Sequence, residues 1–281
     1  MSDAYEDDPN IRAALFEQGL LSPVIEGWRV HHLEQHAEWF TFAHTVNKLA
    51  VKLWITHLGD MQGEEITALN PTASRVFVRA VNNFAATVIL CERGLAIEAA
   101  ALARSISEAS IWLSYMAEEP DKALSDLEAD DLHNFIGRHK ELRRVSERSG
   151  DADSVAYTHA EEKKLRTALN GRNKPNWQNI AQAYGSAHSY MKFRIISGFY
   201  SHLSEVSLQH HIHRTGNKTA FNIIGPHSTE IPHALYFACD ALKDCGVAYA
   251  AIVDDQPCAQ AFYDTIKPLI ELRDSIPPKS G

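Results

Sequence analysis

Along most of this chain apolar residues recur every three or four positions, the period of a helix with one buried face. From Pro23 to Leu58 that pattern runs through Trp28, Phe40, Val46, Leu49 and Leu53, and Gly59 follows as a C-cap, which predicts one long amphipathic helix. Asn70-Pro71-Thr72 opens a second, with proline near its first turn, running to Arg93 and stopped by Gly94. The third, Ala96 to Ala117, is apolar nearly all round, the signature of a central helix. Glu119-Pro120-Asp121 begins a charged fourth helix to Ser149, and a loop at Ser149-Gly150-Asp151 precedes a surface helix over Val155 to Leu169. Asn170 to Asn176 is the clearest turn cluster.

Helical periodicity resumes at Trp177 and reaches about His213, with a break at Tyr184 to Ser189. Arg214 to Glu230 reads as a long loop. Pro232 restarts a helix to about Val253, and Pro257 precedes a last one to about Leu272. No series of period-two alternation predicts strands. The expectation is an all-α, multi-helix bundle of about seven or eight helices. Residues 1–10 read as a disordered acidic tail and 11–281 as a single helical domain.

Composition adds constraints. With 45% hydrophobic and 22% charged residues, the chain has ordinary globular proportions, which exclude wholesale disorder. A net charge of −9 argues against non-specific coating of nucleic acid, because phosphate binding needs clustered Lys and Arg. Cys91, Cys239, Cys245 and Cys258 form no CxxC pair and suit neither a zinc knuckle nor a disulfide framework. The acidic, polar start is the opposite of a signal peptide, and no apolar run is long enough to span a membrane. A cytoplasmic protein is therefore expected. Histidine is the oddity: with 15 of them, clusters arise by chance.

Two constellations carry candidate chemistry. On the central helix, Arg104 and Glu108 sit at i and i+4, so they share a face and can pair directly. Such a pair either locks the helix to its neighbours or lines a pocket. Further on, Tyr190, Arg194 and Ser197 share a stripe, and His202 lies about 80° round from Arg194. Gly198 marks either a close backbone approach or a kink. The candidate catalytic residues are Arg194, His202 and Glu108. The candidate binding residues are Arg104, Tyr190 and Ser197. The segment 177–213 is expected to pack on the central helix and unite the two groups.

Other motifs are weaker. His31, His32, Glu34 and His36, which offer His-x3-His spacing, and the triple His210, His211 and His213, could reach a metal, but surface histidines explain them better and no metal or other cofactor is expected. Glu-x-x-His pairs of a di-metal bundle are missing. There is no GxGxxG, Walker or GxSxG motif. The basic run Arg138 to Arg148 reads as a solvated helix face.

Together Arg104, Ser105, Glu108, Trp177, Tyr190, Phe193, Arg194, Ser197 and His202 resemble a bacterial all-helical family known only as a domain of unknown function, over about Val78 to Val253. The resemblance implies an all-helical fold and marks these polar positions, and it implies no activity. A more distant similarity is to HEPN-type helical ribonucleases. It implies an Arg and a His, four to six residues apart on one helix, assisting attack by the RNA 2′-hydroxyl without a metal. Arg194 and His202 have seven residues between them, outside that pattern, whereas Arg29 and His36 have six.

Three functions follow as expectations. The first is a binding or regulatory helical protein in a bacterial defence or toxin–antitoxin setting. The second is a metal-independent, HEPN-like ribonuclease, and the third is a metal-dependent helical enzyme. The partner is RNA or another protein, a homodimer is open, and a membrane is not expected.

Overall fold

The computed structural model describes residues 9–59, 63, 65, 67–201, 205–208, 212–215, 218–221 and 228–276. The all-α class holds. Six helices of 18 residues or more form its frame: α3 (Ala37–His57), α4 (Leu69–Glu92), α5 (Ala96–Glu118), α6 (Pro120–Ser149), α7 (Ala152–Leu169) and α11 (Ile231–Ile252). Shorter helices appear where an expected one bends, and one precedes the first expected helix. These are α1 (Pro9–Gln18), α2 (Ile25–Gln35), α8 (Trp177–Ala183), α9 (Ala187–Ile196), α10 (Glu205–Leu208), α12 (Gln256–Tyr263) and α13 (Ile266–Asp274).

The centre is a pair rather than one helix. α5 packs along α11, α4 lies against both, α3 backs α11, and α9 covers another side of α5. Small residues make this possible. Ala99, Ala100, Ala103 and Ser107 on α5, and Ala234, Ala238, Ala241 and Cys245 on α11, are all buried, and small side chains at the contact shorten the interaxial distance. The approach is close enough for the Cys245 thiol to donate to the Ile106 carbonyl at 3.4 Å. At one end Phe77 of α4 stacks on Tyr249 of α11, with centroids 4.5 Å apart.

Three expectations are corrected. The long helix over Pro23 to Leu58 is two, bent at His36, whose backbone lies at φ −117° and ψ 33°. The bend lets α2 dock on the C-terminal end of α4: Arg29 Nε donates to Glu92 at 3.0 Å and His32 Nδ1 to the Glu92 carbonyl at 3.1 Å. The helix expected to reach His213 stops earlier. α9 passes into a π-helical turn over Ser197–Ser201, and the chain then pairs Ile212–Thr215 with Lys218–Phe221 as a short antiparallel hairpin. The last predicted helix is α12 and α13, parted at Asp264–Thr265.

α6 and α7 form an antiparallel hairpin with a small core of its own, Ala129, Ile136 and Leu169. The basic run of α6 is a charged surface here: Arg143 pairs with Glu162 at 2.6 Å and Arg144 with Glu141 at 2.5 Å. Residues 1–8 of the expected tail lie outside the described residues; Pro9 and Asn10 begin α1.

Candidate functional site

The face of α5 that meets α8 and α9 carries the site. Arg104, Glu108 and Trp112 follow at i, i+4 and i+8, one stripe on a helix. The buried serines of α5 are satisfied within it, since Ser107 Oγ donates to the Ala103 carbonyl and Ser110 Oγ to that of Ser107, and the Tyr115 hydroxyl donates to Asp126 of α6. Arg104 and Glu108 are the ones that look outward from it.

Arg104 is committed to α9. Its Nε–H donates to Ser197 Oγ at 2.8 Å, and Ser197 in turn gives its proton to the Phe193 carbonyl at 2.6 Å. The guanidinium lies 4.5 Å from the centre of the Phe193 ring, a cation–π contact. Phe193 continues into an aromatic wall: Trp177 stacks on it at 6.0 Å, Tyr190 at 6.1 Å, and Trp112 meets Trp177 edge-on at 5.5 Å. The segment from Trp177 therefore does pack on α5, and it brings Ser197 and Phe193 to Arg104, with Tyr190 stacked on Phe193.

The direct Arg104–Glu108 ion pair does not form. The Ser197 hydroxyl and the Phe193 ring satisfy Arg104 instead, and Glu108 is left with neither a hydrogen bond nor an ion pair among the described residues. Burial pushes its carboxyl above the usual glutamate range; Arg104 and Arg79 oppose that, and the Asp130 carboxylate adds a smaller upward push. Asp130, on α6, is itself half-satisfied: Oδ2 accepts from Asn134 at 3.0 Å, while buried Oδ1 has only the Lys174 ammonium at 3.7 Å.

Arg194 departs from the expectation. It is exposed and is not drawn into the cluster, because the inward face of α9 is set by Ser189, Lys192 and Ile196. His202 lies outside the described residues. Gly198 has no neighbour that a Cβ would meet, so no close approach explains it; it sits in the π-helical turn. The other Arg–His pair is structural at its arginine, since Arg29 is held by Glu92. His36 serves the bend between α2 and α3. Among the described residues no three His, Cys, Asp or Glu side chains are grouped to hold a metal ion. His210 and His211 lie outside those residues.

A second polar cluster escaped the sequence reading. Lys192 of α9 is 2% exposed and spans Asp240 at 2.9 Å and Asp244 at 2.7 Å, both on α11. Lys243 spans the same two carboxylates at 2.7 and 2.9 Å, Ser189 Oγ donates to Asp244, and His188 Nε2 lies 3.2 Å from Asp240. Burial alone would raise Asp240, but Lys192 and Lys243 outweigh it and hold the carboxyl well below the ordinary range. The signal was present: Asp240, Lys243 and Asp244 interrupt an otherwise apolar helix, as Arg104 and Glu108 do.

Residues 72–219 match a family of unknown function, DUF5677. The chain belongs to that family. No curated protein and no solved structure matches the chain. The DUF5677 match runs from the start of α4 into the hairpin, so it contains Arg79, Arg104, Glu108, Asp130, Trp177, Phe193 and Ser197 together. It ends before α11, short of the Val253 limit of the expected resemblance. Asp240, Lys243 and Asp244 thus lie beyond it. No helix among the described residues is long and apolar enough to cross a membrane.

Proposed function

We propose that the protein acts by binding, in a regulatory role, and that the α5–α9 face is where a protein partner docks. The observation that carries this is Glu108, a half-buried carboxyl left without a hydrogen bond or ion pair among the described residues, beside an arginine that has a partner. A carboxyl kept in that state costs stability, and a ligand that offers it an amide, ammonium or guanidinium donor recovers the cost. The surroundings suit a protein. Tyr190, Trp177 and Arg104 are of the residue types that dominate interface hot spots, and exposed Met191, Arg194 and Phe199 extend the surface. Two carboxylates at the centre and a net charge of −9 oppose an RNA backbone.

The test uses folded wild-type protein beside Arg194→Glu and Glu108→Gln variants, expressed in the native host. A partner retained by the wild type and lost by both variants is the expected result. RNA cleavage is measured on the same preparations with and without EDTA. Cleavage that survives EDTA and disappears in Arg194→Glu establishes the ribonuclease reading instead, and cleavage abolished by EDTA establishes the metal-dependent one.

A further inference from the structure

A cleft of about 470 Å³ opens at the start of α9, between that helix, the C-terminal end of α5, α11 and the α12–α13 corner. Its volume is that of a small-molecule site. It is separate from the α5–α9 face and independent of the role proposed for that face. We infer that it binds a small organic oxyanion, a carboxylate or phosphate monoester with an apolar body, whose charged head sits at the N-terminus of α9.

Three observations converge. First, α9 begins without a cap. Ser186 occupies the N-cap position, yet its hydroxyl makes no capping hydrogen bond, so the first-turn amides of Ala187, His188 and Ser189 lack the acceptor that this position normally supplies. Second, Ser186 lines the cleft, is only 5% exposed, and its Oγ has no hydrogen-bond partner. A buried hydroxyl left unpaired costs free energy, and an oxyanion at the helix start would accept from the amides and, once the Ser186 side chain turns toward the cleft, from the hydroxyl as well. Third, the half-exposed imidazole of His188, the second residue of α9, stands in the same lining.

The acids nearby do not cancel this. Both Asp244 oxygens are taken, one by Lys243 and the other by Lys192 and Ser189, so the two lysines and the two aspartates of that cluster neutralise one another. Glu118 is exposed at the edge of the cleft, where water screens it. The donors left over are the helix terminus and Ser186. Beyond them, Val247, Ala251 and Ile266 offer an apolar wall for the rest of the ligand.

The test is an amide-resolved NMR titration of the full chain with phenyl phosphate, benzoate and, as the uncharged control, phenol. The expected result is a saturable shift of the Ala187, His188 and Ser189 amides with one or both anions, at a Kd on the order of 1 mM or tighter, and none with phenol. Which anion saturates identifies the head group. Ser186→Asp supplies an internal carboxylate cap, so it should bind the anion at least about tenfold more weakly while melting at or above the wild-type temperature. Should that variant fail to fold, Ser186→Ala serves, with a loss of several-fold. Shifts that do not saturate, that phenol reproduces, or that persist unchanged in the Ser186 variant would overturn the assignment.

Discussion

Lys192, buried, and Glu108, half-buried, are charges treated in opposite ways. Lys192 reaches two carboxylates, and Asp240 between its two lysines is held ionised. Breaking a buried pair strands the remaining charge and typically costs about 3–5 kcal/mol. Lys192→Met should therefore lose about that much in urea unfolding, although Lys243 still holds Asp240. Because the Asp240 pKa is depressed on folding, its contribution is present above the ordinary value of 3.8 and is lost as pH falls below it. Acid unfolding of Asp240→Asn should show a shallower stability loss below that pH than the wild type does. Glu108 has the opposite sign. Its raised pKa means the folded state holds a proton that the unfolded chain releases, so stability falls as pH rises above the ordinary 4.5 towards the folded value.

At the scale of elements, what the sequence made legible followed from apolar periodicity and punctuation. α5 was readable to within a residue because Gly94 and Pro120 bound a helix apolar almost all round. The α6–α7 turn was readable because Gly150 adopts φ +74° and Asp151 caps Ser154 at 3.0 Å. The bend at His36 was not, since no glycine or proline marks it and its cause is the distant end of α4. Nor was the exit from α9, where the π-helical turn changes the face that each later residue presents. Arg104 and Ser197 could be named from the sequence; that Arg104 chooses Ser197 over Glu108 depends on Phe193 arriving 4.5 Å away. Helix packing also sets one sharp expectation. A Cβ on Gly246 of α11 would overlap the Phe262 ring of α12. Gly246→Ala should destabilise by about 1–3 kcal/mol, measured by denaturant unfolding, despite its better helix propensity.

Among the described residues there is a main core around α5 and α11, a smaller one within the α6–α7 hairpin, and a third, of Ile25 and Trp28, on α2. Hydrogen exchange should reflect that division: amides of α6 beyond Ile136 and of α7 should exchange through cheaper local openings, while those of α5 and α11 should be the slowest. The DUF5677 match covers the face with the unpartnered carboxyl, whereas the cleft at the start of α9 also draws on α11 and the C-terminal helices. On the proposed reading, Glu108 is kept for binding and not for the fold. The most direct measurement is the melting temperature of Glu108→Gln against wild type across pH 4 to 8. Little difference is expected at the acid end, and the variant should gain about 2–4 °C for each kcal/mol relieved as the wild-type carboxyl ionises. A variant that melts below the wild type throughout, with the deficit growing as pH rises, would show that the ionised carboxylate supports the fold, and would contradict it.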